Sequence, residues 1–204
     1  RQSIEKLEKW IQEDKKAYAD VTAGLTDLFG KTRQALDDAT DAEKMTAALD
    51  AYLKAQSQKY QDPARHCSLD FTCPLPSVGR ISTYFGEPDA VYNKPHTGAD
   101  MPAASGTLIY AVADGVVSAA SARPSYGNCV QIDHGTADDG SSYATLYAHM
   151  SSFCVSAGQT VHKGDVIGYV GNTGDVRGAN GGYHLHLELR INGIRTDPLQ
   201  YIPH

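Results

Sequence analysis

The chain has 204 residues and a formal net charge of −6, and its 18 Lys and Arg are spread along the whole length. A nucleic-acid footprint needs a basic patch or stripe, and a membrane-spanning helix needs ~20 consecutive apolar residues; the sequence offers neither. Nucleic acid is therefore not an expected partner, no span is expected, and the length suits one ordinary domain with an accessory segment.

Residues 1–62 hold two of the 19 glycines and none of the prolines. Ile4, Leu7 and Ile11, then Val21, Leu25 and Leu28, then Leu36, Met45, Leu49, Tyr52 and Leu53 recur at helical spacing. Gly30 after Phe29 is a natural C-cap, because glycine enters the left-handed region without a Cβ clash. An α-helical hairpin or coiled-coil segment is expected over 1–62. It would serve as a spacer, or as a docking or autoinhibitory arm through which a regulatory partner acts. Arg1 to Glu5 read as mid-helix with no apolar signal core. The chain is thus expected to be a fragment, or a mature form, of a longer exported or anchored protein.

Residues 63–76 form a linker with a Cys-bounded loop between Cys67 and Cys73. From 77 to 204 short apolar stretches alternate with glycine-rich turns: Gly79 to Gly86, Leu108 to Ala113, Gly115 to Ala120, Cys129 to Asp133, Ser142 to Tyr147, Val166 to Val170 and His184 to Ile191. That rhythm predicts a mainly β domain built on an antiparallel sheet, of sandwich or barrel type. Asn192-Gly193 signals a tight hairpin turn. Four cysteines allow three pairings; Cys67–Cys73 and Cys129–Cys154 are the expected disulfides, which would fit an extracellular or cell-envelope setting. The alternative is buried free thiols.

The polar side chains with chemical capacity fall in three clusters: His96-Thr-Gly-Ala-Asp100, His149, and His184-Leu-His186. On a strand, residues two apart share a face. Tyr183 to Arg190 alternates polar and apolar, so His184 and His186 stand side by side on one face, with Glu188 and Arg190 further along. His149 follows an apolar run and is expected at a strand end. Pro95 and Gly98 make His96 to Asp100 a loop entering a strand rather than a helix. Imidazole nitrogen and carboxylate oxygen are zinc ligands, and a catalytic zinc takes three of them. His134 is expected to be structural.

Together, on a glycine-rich β domain, these clusters resemble the lysostaphin/LytM-type zinc metallopeptidases, whose fold is the duplicated hybrid motif. The resemblance runs over roughly 74–203 and includes Gly106-Thr107, Ala111 to Val116, Tyr126-Gly-Asn, Ile132 to Gly135, Tyr147-Ala-His149, Lys163-Gly164, Gly171 to Gly174 and Asp197-Pro198. It implies a Zn²⁺ cofactor held by His96, Asp100 and His186, with His149 and His184 as catalytic histidines. It implies hydrolysis of peptide cross-links or stem peptides of bacterial peptidoglycan. Which histidine is the general base stays open, as does the bond that is cut. Tyr92 is a candidate oxyanion or substrate contact, and Asn93 a weaker candidate for the fourth zinc position that latent members fill. The loops 136–142 and 172–182 are expected to wall the substrate groove. Degenerate relatives that have lost ligands act as activators or scaffolds, so a catalytically silent wall-binding or hydrolase-activating module is the alternative. A phosphocarrier of the same fold is a third reading, which the His-x-x-x-Asp pair disfavours.

Overall fold

Strand register, rather than strand number, decides where the polar side chains of this domain meet. The computed structural model describes residues 65–88, 94–176 and 181–204, together with Ala51, Tyr52, Lys54, Ala55 and Lys59, which are helical. The remaining helical expectation for 1–62 lies outside the described residues, as do Tyr92 and Asn93.

All described strands belong to the compact unit Leu53–His204. They are β1 (Ala99–Pro102), β2 (Leu108–Tyr110), β3 (Gly115–Arg123), β4 (Gly127–Thr136), β5 (Ser142–Phe153), β6 (Thr160–Val161), β7 (Val166–Val170), β8 (His184–Ile191) and β9 (Ile194–Thr196). The sheet runs β1-β8-β5-β4-β3-β6, with β7 bridging β5 to β2 and β9 returning along β8. Every strand pair is antiparallel, as expected for short hairpin connections. Asn192 and Gly193 both have positive φ (53° and 77°), which closes the β8–β9 hairpin between Ile191 and Ile194.

Strand alternation fixes the core. Leu185, Leu187 and Leu189 of β8 enter one apolar cluster with Met101, Ile109, Val117, Val130, Ile132, Tyr147, Met150 and Ile167. The opposite face of β8 is not solvated, as a half-buried strand would be: His186, Glu188 and Arg190 are buried as well. Buried charge needs compensation, and Glu188 obtains it from Arg190 and Arg195.

A second buried polar chain stabilises the far side of the sheet. His134 lies against the Asp114 carbonyl through Nδ1 (2.8 Å) and against Thr145 Oγ1 through Nε2 (2.7 Å). Thr145 Oγ1 is 3.1 Å from Tyr147 Oη, which in turn accepts from the Val112 amide at 3.0 Å. With Nδ1–H on the carbonyl, Tyr147 donates to Thr145 and Thr145 to His134 Nε2, which leaves every atom of the chain satisfied. His134 is therefore a structural residue.

Several expectations need correction. Gly79 to Gly86 is not a strand; among the described residues its one β-bridge is Thr83–Asp100, and it then turns at Gly86 (φ 81°). The hairpin loop after β4 stands at the Ser142 end of β5, beside Asn192. Ser142 lies seven residues from His149, roughly 23 Å at about 3.3 Å per residue, so this loop does not wall the site. None of the four cysteines is disulfide-bonded. Asn128, next to Cys129, pairs with Met150, and Cys154 lies four residues further along. At about 3.3 Å per residue that is roughly 13 Å, beyond the ~7 Å Cα limit for a disulfide. Cys129 and Cys154 instead donate to the carbonyls of Ser121 and Val166, and Cys67 is buried in the core.

Candidate active site

The site is built where β8 lies between β1 and β5. Asp100 pairs directly with His186 across the β1–β8 ladder, and Pro102 with His184. Directly opposed residues point to the same face, so the Asp100 carboxylate and the His186 imidazole converge. Gly98 allows this approach. A Cβ there would overlap the Leu187 carbonyl oxygen and press on His186. The loop before β1 is pinned by the His96 amide to the Glu87 carbonyl (2.7 Å) and by the Gly86 amide to the His96 carbonyl (2.9 Å). These bonds bring the His96 ring edge-on to His186, with centroids 4.8 Å apart and planes at 88°.

One oxygen gathers the three rings. Asp100 Oδ1 lies 3.0 Å from His96 Nε2, 2.8 Å from His186 Nδ1 and 3.6 Å from His184 Nε2. Burial alone would raise the pKa of Asp100, but the hydrogen bonds from His186 and His96 outweigh it and hold the carboxyl far below the usual range. The donor atoms of His96, Asp100 and His186 all lie within 4.8 Å of one another. Two imidazole nitrogens and one carboxylate oxygen, partly buried and converging, form a donor set suited to a divalent cation. It has the composition of a hydrolytic zinc and lacks the thiolates of most structural sites.

His149 comes from β5 by an unexpected route. It does not end that strand, which continues to Phe153. It sits where β5 changes partner: Ala148 is the last residue paired with β8, and Met150 the first paired with β7. The chain takes φ 58° at His149 to make this switch, a left-handed conformation costly for a residue with a Cβ. Its amide is held by the Tyr126 carbonyl at 2.8 Å. The ring lies 4.7 Å from His184 and 5.7 Å from His186, centroid to centroid. Burial, with the facing His186 and His184, pushes the His149 pKa down to about 3.

Backbone carbonyls set the tautomers of both histidines outside the His-His-Asp cluster. His149 Nδ1 lies 2.9 Å from Thr173 O, and His184 Nδ1 lies 2.6 Å from Gly182 O. A carbonyl can only accept, so each Nδ1 carries a proton, and in the neutral ring the lone pair lies on Nε2. The loop after β7 thus supports the site through Thr173 and Gly182. Gly178 to Asn180 lie outside the described residues.

A buried group that the sequence alone did not single out stands behind His186. Glu188 Oε1 lies 3.6 Å from His186 Nε2 and accepts from Tyr126 Oη at 2.5 Å and Arg195 Nε at 3.2 Å. Arg190 holds Oε2 through Nε (3.1 Å) and Nη2 (2.7 Å). Burial alone would raise the pKa of Glu188, but His186, Arg190 and Arg195 bring it well below its ordinary value. Burial likewise opposes charge on His186, yet Asp100 and Glu188 raise its pKa to about 9 in the metal-free protein. The alternation of β8 placed Glu188 on the His186 face; the arrival of Tyr126 and Arg195 from other elements was not legible.

A family model described as peptidase family M23 matches residues 94–198, which is 105 of the 204 residues. The chain belongs to peptidase family M23. The DD-carboxypeptidase/endopeptidase Mpg of Neisseria meningitidis is 42% identical over 123 residues, covering 59% of this chain and 26% of Mpg. The peptidoglycan DD-endopeptidase ShyA of Vibrio cholerae is 37% identical over 148 residues, covering 70% of this chain and 32% of ShyA. The murein hydrolase activator NlpD of Escherichia coli is 34% identical over 129 residues, covering 63% and 30%. Among solved structures, a zinc-containing peptidase of Vibrio cholerae matches with TM-score 0.57 and 28% identity over 66% of this chain and 41% of that one. This M23 chain therefore spans about a quarter to a third of the length of these curated relatives.

Proposed function

We propose that this M23 domain is a zinc-dependent endopeptidase of the bacterial cell envelope that hydrolyses the D-Ala cross-links of peptidoglycan. The observation that carries the reading is the meeting of His96, Asp100 and His186 with two further histidines whose Nε2 atoms are free to take a proton. The names of Mpg and ShyA support the DD bond over a glycine bridge.

In this reading His96, Asp100 and His186 hold the metal. Zinc bound there supplies Lewis acidity, polarising a carbonyl and making water a nucleophile near neutral pH. The chain's own residues then handle protons and orientation. In their neutral form His149 and His184 each present the Nε2 lone pair, so either can accept the proton of the attacking water. Once protonated, the same Nε2–H can donate to the leaving amine or to the developing oxyanion. The Thr173 and Gly182 carbonyls keep both rings in that tautomer throughout, and they are well placed to stabilise the imidazolium. The positive φ at His149 is maintained by the switch of β5 from β8 to β7. The ring position is thereby preorganised rather than selected on substrate binding.

Digestion of directly cross-linked and glycine-bridged walls, followed by mass spectrometry of the muropeptides, tests the proposal. Cross-linked dimers of the direct type should fall and monomers rise, and chelation or His186→Ala should abolish the change. The similarity to NlpD favours a second reading, an activating module. Zinc-loaded protein that cleaves neither wall yet stimulates an amidase would establish that reading instead.

A further inference from the structure

We propose that Glu188 is a positioning residue for His186: its carboxylate faces Nε2 and fixes the tautomer that offers the Nδ1 lone pair to the metal. The inference rests on the zinc reading above and extends it to a residue outside the ligand set.

The two nitrogens of the His186 ring face different partners. His186 Nδ1 points at Asp100 Oδ1, 2.8 Å away, and so into the His-His-Asp cluster. A neutral imidazole carries one proton, and a nitrogen bound to a metal cannot keep it. The proton must then sit on Nε2 and needs an acceptor in a region where His186 is almost fully buried. Among the described residues, two acceptors face that nitrogen, Thr97 Oγ1 at 3.3 Å and Glu188 Oε1 at 3.6 Å. The hydroxyl is neutral. The carboxylate adds charge, which raises the basicity of the imidazole and strengthens its bond to a cation, as outer carboxylates do behind metal-bound histidines.

Glu188 is itself immobilised. Arg190 takes Oε2 in a forked contact, while Arg195 and Tyr126 take Oε1. Arg195 Nη2 also donates to Tyr126 Oη at 3.0 Å, closing the ring of contacts. A carboxylate with no solvent exposure would be costly without these partners. With them, its position relative to His186 is set by the β8 backbone, since residues 186 and 188 project from the same face. The Tyr126 ring packs near His186, with centroids 5.9 Å apart, which limits rotation of the imidazole.

Zinc titration of the 204-residue apoprotein against a competing chromogenic chelator tests the inference. Glu188→Gln preserves shape and removes charge, and it should weaken zinc binding about 10- to 100-fold relative to the unaltered chain. Thr97→Val should weaken it less. Equal affinity of a folded Glu188→Gln protein and the unaltered chain overturns the inference while leaving the zinc reading intact. Failure of the unaltered chain to bind zinc overturns both. Long-range ¹H–¹⁵N spectra of the zinc-loaded unaltered chain give a readout that needs no variant. The His186 proton is expected on Nε2, and a proton on Nδ1 would refute the assignment even if Glu188→Gln did not fold.

Discussion

Acidification should destabilise this domain through His134, and replacing that residue by glutamine should remove the effect. His134 is completely enclosed, and burial pushes its pKa down to about 4 from 6.5, the hydrogen bond to the Asp114 carbonyl offsetting part of the drop. Above pH 6.5 the imidazole is neutral in both folded and unfolded chains and no penalty exists. Between 6.5 and 4 the unfolded chain binds a proton that the folded chain refuses, so stability falls as pH falls. Below that window both states are protonated and the loss levels off. A difference of about 2.5 units at about 1.36 kcal/mol each is about 3 kcal/mol. Urea unfolding of the unaltered chain and the His134→Gln variant at intervals from about pH 7.5 to about pH 4, in chelator so that metal occupancy does not contribute, measures it. Glutamine cannot titrate. The His134→Gln variant should therefore be less stable at about pH 7.5 yet lose about 3 kcal/mol less on acidification. Carboxylates with lowered pKa, Asp100 and Glu188 among them, act in both proteins and cancel in the difference. Parallel pH curves would show that the His134 chain of hydrogen bonds does not hold the ring neutral, and the reasoning would fall.

Other outcomes follow from the same geometry. His149→Ala and His184→Ala should each lower kcat on cross-linked muropeptide by about 10²–10⁴-fold, with zinc content unchanged; steady-state kinetics beside metal analysis would detect the opposite pattern, intact turnover with lost zinc. Gly98→Ala forces β1 away from the Leu187 carbonyl and should cost about 1–3 kcal/mol while reducing zinc uptake, so thermal melting and zinc titration should change together. Gly193→Val places a branched residue at φ 77° in the β8–β9 turn. A cost of about 1–2 kcal/mol in a thermal or urea melt is expected, and turnover by the folded fraction should be retained because that turn lies at the opposite end of β8 from His184.

Strand alternation in His184 to Ile191, the turn pair Asn192-Gly193 and the proline and glycine around His96 were each readable, because they depend on backbone geometry within a few residues. They determined a β domain, a face bearing two imidazoles and a loop leading Asp100 into a strand. The resemblance carried by the same motifs assigned roles to His96, Asp100, His149, His184 and His186. Local sequence could not show that the polar face of β8 is buried. That depends on Arg195 returning on β9 and Tyr126 arriving before β4, both brought to Glu188 by the fold. Nor could it show that β5 runs past His149, since the positive φ there results from a change of pairing partner. Cysteine count allowed pairings that strand register then forbade for Cys129 and Cys154. The sequence by itself determined which residue types were available and which faces they share, through the period of the strand. Only the tertiary structure decided which of them meet, because register and partner exchange are set by contacts between segments far apart in the chain.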